Sequence, residues 1–532
     1  MKSRVAASNR RRVLCVFPRY APSFGTFEHA YRLMDGVRAF MPPQGLLVIA
    51  AYLPAAWEVR LVDENMHPAT DADFAWADAV FVSGMHVQRE AINEIGERAR
   101  AHGKVTSLGG PSVSSCPEHY PGFDYLHIGE LGDATDALIA ALDADVTPPD
   151  RQRIFTARER LPLTEFPLPA YELLEGRRYF LGSIQFSSGC PYQCEFCDIP
   201  GLYGRQPRYK RPEQIAAELD AMLEAGIVGS VYFVDDNFIG NKKAARELLP
   251  HLVAWQKARG YPLQFSCEAT LNIAACPDIL ALMREAFFYA IFCGIETPEL
   301  GALDAMKKSH NHHSLPILDA IRTINGYGME VVSGIILGLD TDTAATAGNL
   351  LDFIEQSQIP LLTINLLQAL PKTPLWDRLQ ATERLDLDGK RDSNVVFARP
   401  YDAVLSDWRL AVRRAYAPKA IYRRFAWNAE NTYRNRIRPP LSRARLSAAN
   451  LRRGIVTLAK IVGKIGIASD YRRIFWRMAL PALRRGRIDE LIASALVAHH
   501  MITFARECTA GQQNAAFYAD RPQPAVGVRR AA

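Results

Sequence analysis

Three cysteines packed into eight residues constrain this chain more than any other feature of its sequence. Cys190, Cys194 and Cys197 lie in the stretch Gly-Cys-Pro-Tyr-Gln-Cys-Glu-Phe-Cys, and no fourth cysteine or histidine follows closely. Thiolates hold iron–sulfur clusters, and three ligands leave one iron of a cluster open to another molecule. A structural zinc site needs four closed ligands and a redox dithiol needs only Cys-x-x-Cys, so both fit this spacing poorly. The three cysteines therefore predict an iron–sulfur cluster.

The bulk composition indicates a globular chain of several domains. It has 532 residues, of which 48% are hydrophobic, and this length suffices for two to four domains. No segment reaches the roughly 18 uninterrupted apolar residues of a membrane span. The remaining cysteines form no even secreted framework, which indicates a reducing cytosol. We expect these six to be buried small apolar residues: Cys15, Cys116, Cys267, Cys276, Cys293 and Cys508.

Residues 12–142 alternate short apolar runs with helical or turn patterns, which is typical of a doubly wound α/β domain. Ligands of such sheets bind beyond the carboxyl ends of the strands. Taken alone, the glycines in those places are ordinary tight turns. The candidate binding residues at these strand ends are Ser83, Gly84, Gly109, Gly110, Pro111, Gly129 and Glu130.

Residues 143–180 are rich in proline and arginine and predict a linker. Residues 181–395 then contain six further strand-and-helix units, whose expected strands begin near 183, 230, 263, 289, 331 and 362. Parallel βα barrels place their active sites at the carboxyl ends of strands. The candidates there are Asp235, Asp236, Asn237, Glu268, Glu296, Gly334 and Gly338. A helix N-cap remains an alternative for Asp236 and Asn237, and a rim salt bridge for the two glutamates.

Residues 396–508 predict a basic helical domain, and residues 509–532 a flexible tail. The overall charge of +6 hides an asymmetry, because residues 401–490 carry +15 and residues 1–400 carry −11. Between residues 451 and 465 the spacing predicts an amphipathic helix with Leu451, Ile455, Leu458, Val462 and Ile465 on its apolar face. A solvated face of a packed helix, an anionic membrane surface and an RNA-binding patch all remain open for this region, although no RNA-binding motif occurs.

The cysteine spacing, with Phe196 as its aromatic residue, resembles the radical S-adenosylmethionine (SAM) superfamily. This resemblance implies a partial (β/α)6 barrel and a 4Fe–4S cluster whose open iron chelates SAM. It also implies that Phe196 and the strand-end residues of the barrel contact SAM. The glycines of residues 12–142, with Pro42-Pro-Gln-Gly-Leu46, resemble a cobalamin-binding module. The module's usual axial histidine motif is missing, so we expect no histidine to ligate cobalt.

The whole arrangement resembles the bacterial hopanoid C-2 methylases. The similar residues are Phe24–His29, Cys197–Arg205, Val234–Phe238 and the basic tail. The resemblance implies that one SAM methylates cobalamin, and that a radical from a second SAM activates a carbon of the hopanoid, which then takes the methyl group. It further implies a reductant such as flavodoxin or ferredoxin and a cytoplasmic enzyme able to dock on the inner face of the cytoplasmic membrane.

Two alternatives remain from the sequence. A tetrapyrrole or another secondary metabolite can replace the hopanoid as substrate of the same chemistry. A non-enzymatic sensor or binding protein can also carry a cluster. The catalytic residue that returns the final hydrogen is not identified by any spacing in the sequence.

Overall fold

The computed structural model describes residues 7–439 and 448–515, and their contacts divide the chain into two units. The first unit comprises the described residues up to Ala21, together with Gly36–Tyr192 and Asp198–Ala258. The second comprises Pro22–Asp35, Gln193–Cys197 and the described residues from Arg259 onward. Most of the predicted tail of residues 509–532 lies outside the described residues.

Strands form at the short apolar runs of the sequence, because side chains on both faces of a parallel sheet become buried. Their bounds are β1 Arg12–Phe17, β2 Glu58–Asp63, β3 Ala79–Ser83, β4 Val105–Gly109, β5 Tyr125–Ile128, β6 Arg153–Thr156, β7 Gly182–Ile184, β8 Ser187–Ser188, β9 Arg208–Tyr209, β10 Gly229–Phe233, β11 Leu263–Glu268, β12 Phe288–Glu296, β13 Glu330–Leu337 and β14 Leu361–Leu366.

The α-helices alternate with the strands up to β14 and then follow one another. Their bounds are α1 Glu28–Tyr31, α2 Gln44–Tyr52, α3 Asp71–Trp76, α4 Arg89–Ala101, α5 Pro111–Ser115, α6 Asp133–Ala144, α7 Ile199–Leu202, α8 Pro212–Glu224, α9 Lys242–Arg259, α10 Pro277–Glu285, α11 Leu300–Ala305, α12 Ile317–Gly326, α13 Thr346–Ser357, α14 Pro374–Ala381, α15 Tyr401–Ala415, α16 Pro418–Asn431, α17 Ala448–Ile461, α18 Arg472–Arg484 and α19 Ile488–Thr509. A π-helix, Val462–Ile467, continues α17.

The first unit is built on a parallel sheet with the strand order β2-β1-β3-β4-β5-β6. Alternate side chains of β1 enter two apolar layers, since Val13 and Cys15 pack with residues of α2 and α6, while Leu14 and Val16 pack with residues of α3 and α4. The sheet is therefore covered by helices on both faces. The strand order reverses between β1 and β3, and ligands of such sheets bind at this point, beyond the carboxyl ends of the strands.

Strand β6 lies within the predicted linker of residues 143–180 and pairs in parallel with β5 at the edge of the sheet. Its four residues are mostly exposed, unlike the buried residues of β1, β3 and β4 in the same sheet. The same unit contains β7 and β10 as parallel neighbours and β8 and β9 as an antiparallel pair.

The second unit contains a parallel sheet segment in which β12 pairs with β11 and β13, and β13 with β14. Helix α15 protects β14, because Trp408 Nε1 donates to the carbonyl oxygen of Ile364 at 2.8 Å and the Tyr416 hydroxyl donates to that of Leu362. Side-chain donors on an edge strand remove a template for pairing with other chains. Only helices follow residue 395 in the described part of the chain, as the sequence predicts.

Helix α19 is the one described helix that is long and apolar enough, by length and composition alone, to cross a membrane. Of its most apolar window, 61% is buried inside the protein. It packs against α1, α15, α16, α17 and α18 within the second unit. These contacts are typical of a core helix of a folded domain.

A buried ion pair in the first unit gives a test of this packing. Lys210 Nζ donates to Glu218 Oε1 at 2.5 Å, and the two side chains are 0% and 2% exposed. We expect Lys210→Met to lower the free energy of unfolding by about 3–5 kcal/mol, because it leaves a buried carboxylate without its counter-charge. The double variant Lys210→Met/Glu218→Leu should recover most of this loss.

Urea unfolding of the full chain measures the effect. The matched control is Arg19→Met, which breaks an ion pair with Glu94 in which both side chains are more than half exposed. That change should cost less than about 1 kcal/mol. An equal loss in both single variants would contradict the structural account of Lys210.

Candidate active site

The cysteines divide into two classes by burial. Cys190, Cys194 and Cys197 are partly exposed, and the six scattered cysteines are buried as the sequence predicts. Burial raises the pKa of Cys15 and of Cys293 to about 12, so these thiols do not supply thiolates. The three accessible thiols are thus the donor set suited to an iron–sulfur cluster.

The loop that carries these cysteines is held by backbone hydrogen bonds within each unit. In the first unit, the amide of Cys190 donates to the carbonyl oxygen of Gly204 at 3.2 Å. In the second unit, the amide of Cys197 donates to the carbonyl oxygen of Cys194 at 3.2 Å, which closes a tight turn between two of the predicted ligands.

Two carboxylates that follow β10 hold the backbone entering this loop. Asp235 accepts hydrogen bonds from the amides of Phe186 and Ser187, and Asp236 Oδ2 accepts one from the amide of Gly189 at 2.7 Å. Burial raises the pKa of Asp235 to about 7 and that of Asp236 to about 6. Both side chains therefore position the backbone segment before Cys190. Their predicted contact with SAM stays a prediction.

Asn237 differs from its two acidic neighbours. It is 2% exposed, and its amide nitrogen and oxygen have no hydrogen-bond partner within residues 7–439 and 448–515. A buried amide left without partners costs free energy unless a ligand or water satisfies it. Its donor and acceptor therefore fit a polar ligand such as the amino-acid portion of SAM.

Glu296 ends β12 in an unusual backbone conformation. Its φ is 65°, and the pairing with β13 shifts register between Gly294 and Glu296. Such left-handed, non-glycine conformations persist where the surrounding structure fixes them and are common at functional sites. The bulge turns the Glu296 carboxylate toward Lys308, whose Nζ donates to Oε1 at 2.6 Å.

Lys308 was missed by the sequence analysis. Its side chain is 9% exposed, and Nζ lies 5.3 Å from the ring centroid of Phe196, next to Cys197. Burial lowers the pKa of Lys308, but Glu296 and the sulfurs of Cys194 and Cys197 raise it above its ordinary value. The lysine therefore places a buried positive charge beside the cysteine loop of the second unit. No pattern marks it, because its burial depends on a contact with a residue twelve positions earlier.

Glycine makes this ion pair possible. A Cβ atom at Gly294 would lie 2.8 Å from Lys308 Nζ, so any larger residue would displace the pair. A Cβ at Gly334 would lie 3.6 Å from Glu296 Oε2, which places this predicted site residue beside the same carboxylate. Glu268 is the last residue of β11. Burial is the main cause of the raised pKa of Cys293; the charge of Lys308 lowers that pKa, and the charge of Glu268 raises it.

Gly338 lies against an aromatic side chain. A Cβ at this position would lie 2.5 Å from a ring carbon of Phe397, so a protein side chain fills the space beside it. The predicted contact of Gly338 with SAM stays a prediction. No local pattern predicts the contact with Phe397, because Phe397 lies about sixty residues further along the chain.

The predicted cobalamin residues lie at the carboxyl ends of β3, β4 and β5. Gly110 has a φ of 97°, and a Cβ there would lie 2.5 Å from Ser83 Oγ and 3.4 Å from the backbone of Gly84. Gly129 has a φ of 101°. Only glycine fits the Gly110 position without strain. Gly109 and Pro111 flank it, and the predicted contact of these residues with cobalamin stays a prediction.

The carboxylate of Glu130 is already engaged. Oε1 accepts a hydrogen bond from Ser188 Oγ at 2.9 Å, and Oε2 lies 2.5 Å from Arg208 and 3.2 Å from Arg160. These contacts tie the end of β5 to the β8–β9 pair within the first unit. They assign the Glu130 side chain a structural role, and its predicted contact with cobalamin stays a prediction.

Comparisons with known proteins identify the families that match each part of this chain. Family models match residues 33–139 as a B12 binding domain, 184–354 as the radical SAM superfamily and 373–514 as a domain of unknown function, DUF4070. The hopanoid C-2 methylase of Rhodopseudomonas palustris (strain TIE-1) is 62% identical over 97% of this chain and 98% of its own length. This chain belongs to the hopanoid C-2 methylase family.

Other relatives are more distant. A bacteriochlorophyllide d C-12(1)-methyltransferase of Chlorobaculum tepidum is 23% identical, with 64% of this chain and 74% of the relative covered. Among solved structures, the cobalamin-dependent SAM radical enzyme OxsB with aqua-cobalamin and SAM bound has a TM-score of 0.62 at 16% identity and covers 94% of this chain and 80% of its own. That likeness concerns the fold.

The family assignment confirms several predictions. The fold class is the predicted one, with an α/β B12-binding domain, a radical SAM domain of parallel strands and a helical C-terminal region. The chain is a radical SAM methyltransferase, and an iron–sulfur cluster, SAM and cobalamin are its cofactors. The predicted domain boundaries stay predictions.

The unpartnered amide of Asn237 gives the first test of the site. We expect Asn237→Leu to weaken SAM binding about tenfold or more, because it removes a donor and an acceptor from a buried site. Equilibrium binding of SAM to the reconstituted protein measures this. The matched control is Asn428→Leu, since Asn428 is equally buried but donates to Gln358 and Arg424. Unchanged SAM affinity in Asn237→Leu would contradict the assignment.

Lys308 gives a second, spectroscopic test. We expect Lys308→Met to lower the midpoint potential of the cluster by on the order of 50 mV, because a nearby cation favours the reduced, more negative state. The double variant Lys308→Met/Glu296→Gln should recover part of the lost potential, since it also removes the carboxylate that Lys308→Met leaves unpaired. Redox titration followed by electron paramagnetic resonance measures the potential. Lys307→Met, which alters the exposed neighbouring lysine, should leave it unchanged; an equal shift there would contradict a specific role for Lys308.

Proposed function

We propose that this protein methylates an unactivated ring carbon of a hopanoid, at C-2. The identity of 62% over nearly the full length of a hopanoid C-2 methylase carries this proposal. The match covers 97% of this chain, an extent that takes in both α/β regions and the helical C-terminal region. The bacteriochlorophyllide methyltransferase is much less similar, so a tetrapyrrole substrate has weaker support.

The cofactor-binding residues follow from the geometry within each unit. Cys190, Cys194 and Cys197 would hold the cluster, since they are the accessible thiols. Asn237 and Glu296 would contact SAM, the first through its unpartnered amide and the second through a carboxylate fixed by the bulge of β12. The glycine edge at Gly110 would contact cobalamin.

When bound, these cofactors supply a carbon-centred radical and a transferable methyl group for a carbon that acid–base chemistry does not activate. The protein's own part is to hold and orient. Asp235 and Asp236 fix the backbone before Cys190, and Lys308 compensates the Glu296 carboxylate in a buried setting. The thiols of Cys267 and Cys293 are buried within β11 and β12, and burial raises the pKa of Cys293 to about 12, so Cys293 offers no thiolate that competes for iron.

The proposed partners follow from this chemistry. Reduction of the cluster requires an electron donor of the flavodoxin or ferredoxin class. A hopanoid is a membrane lipid, so we place this cytoplasmic enzyme at the inner face of the cytoplasmic membrane. Nucleic acid has no role in this proposal.

The test is lipid analysis by mass spectrometry. The chain is expressed without oxygen in a hopanoid-producing host that lacks methylation. We expect a hopanoid heavier by one methyl group, absent in Cys194→Ala and retained in Cys116→Ala, which alters a buried cysteine outside the loop.

Two negative results of this experiment would contradict different parts of the proposal. Unmethylated hopanoid, together with intact cleavage of SAM to 5′-deoxyadenosine, would overturn the substrate and direct the search to tetrapyrroles. An intact cluster without SAM cleavage would overturn the assignment of these residues to radical chemistry.

A further inference from the structure

Helix α17 and the π-helix that continues it expose one apolar stripe. Every fourth residue from Leu451 to Ile467 is exposed, and the three largest, Leu451, Ile455 and Ile467, are 59%, 61% and 67% exposed. Ala459 and Gly463 lie between them. At 1.5 Å per residue the stripe is about 24 Å long. Large apolar side chains left in water in such an ordered row indicate an interaction site.

The stripe is exposed because a different face of the helix is anchored. Thr457 and Ile461 are buried, and Thr457 Oγ1 accepts a hydrogen bond from the amide of Asp35 at 3.3 Å. Lys460 Nζ donates to the carbonyl oxygen of Met34 at 3.4 Å. The expected apolar face is therefore split: Ile465 is buried, whereas Leu451 and Ile455 face solvent. The wider turn of the π-helix shifts the phase of the helix and brings Ile467 onto the exposed stripe.

The charges beside the stripe are mostly positive. Residues 448–487 contain ten lysines and arginines and a single acidic residue, Asp470. Arg452 and Lys464 are exposed on α17 and the π-helix, and no described residue forms an ion pair with them. The same holds for Arg473, Arg477 and Arg484, which are exposed on α18. Arginines elsewhere in this unit, such as Arg378, do form ion pairs with carboxylates.

We propose that this surface, which comprises Leu451, Ile455, Ala459, Gly463 and Ile467 with Arg452 and Lys464, docks on an anionic lipid bilayer. Exposed apolar side chains bordered by cations are the pattern of a helix that lies in the membrane interface. The apolar side chains enter the boundary of the acyl chains, while the cations face lipid phosphates. The proposal deepens the function proposed above, on which its purpose rests, because it names the surface that meets the substrate's membrane.

The charge and the apolar residues of this surface also favour a bilayer over a second copy of the chain or RNA. A second copy of the chain would bring two basic surfaces together without acidic partners from either stripe. RNA offers phosphates for the cations but nothing for Leu451, Ile455 and Ile467, which are not aromatic residues that stack on bases. A bilayer that contains anionic lipid satisfies both the apolar and the positive parts of the surface.

The experiment is vesicle flotation of the full, cluster-loaded chain. Vesicles contain phosphatidylcholine alone or mixed with phosphatidylglycerol. We expect binding to increase strongly with phosphatidylglycerol and to fall with added salt. Leu451→Asp/Ile455→Asp should reduce partitioning about tenfold or more. Arg452→Ser/Lys464→Ser should remove about fivefold per charge, only where phosphatidylglycerol is present.

The matched control is Ile154→Asp/Leu387→Asp, which alters an isoleucine and a leucine that are 55% and 65% exposed elsewhere. It should bind vesicles like the unmodified chain. Equal binding to both vesicle types, or unchanged binding in the α17 variants, would overturn the proposal. So would a change of oligomeric state in those variants, measured by analytical ultracentrifugation, since the stripe would then contact a second copy.

A parallel assay separates this proposal from the proposed function. All variants, and the unmodified chain, are given hopanoid dissolved in detergent. Methylation should be equal in all of them, because no altered residue belongs to the cofactor sites. Failure of the unmodified chain to methylate would refute the proposed function and leave the vesicle result to decide the docking surface.

Discussion

Buried carboxylates that accept backbone amides are the interaction on which the cysteine loop depends. Asp235 and Asp236 leave β10 together, and their oxygens take up the amides of Ser187 and Gly189 immediately before Cys190. Burial alone would favour protonating both groups, which is why their pKa values rise. The amide hydrogen bonds oppose that trend, and the loop backbone is fixed in return.

A similar balance of burial and charge operates in the second unit at the end of β12. There the Glu296 carboxylate is turned inward by a bulge and a left-handed backbone, and Lys308 supplies the counter-charge. A buried ion pair contributes little net stability compared with apolar residues of the same size. Its presence beside Phe196 is therefore better explained by the chemistry of the cysteine loop than by folding.

Periodicity predicted the strands well, because parallel strands bury both faces and appear as short apolar runs. It failed at β6, an exposed edge strand, and at the face of α17, where a π-helix changes the phase. The three cysteines could be recognised because their spacing is local. Lys308 and the Phe397 ring beside Gly338 could not, since each acts through a contact between segments distant in sequence. The sequence also could not show that the side-chain amide of Asn237, unlike the carboxylates of Asp235 and Asp236 before it, has no hydrogen-bond partner within the described residues.

The placement of charge separates the two tasks of the protein. Inside the units, Lys210 with Glu218 and Lys308 with Glu296 form buried ion pairs, in which each charge offsets the cost of burying the other. On α17 and α18, Arg452, Arg473 and Arg477 instead are exposed, and no described residue forms an ion pair with them. Exposed like charges repel one another, and an external anion offsets that repulsion. A hydrophobic stripe in the same place restricts that anion to one attached to an apolar phase, which is the chemistry of an anionic lipid surface.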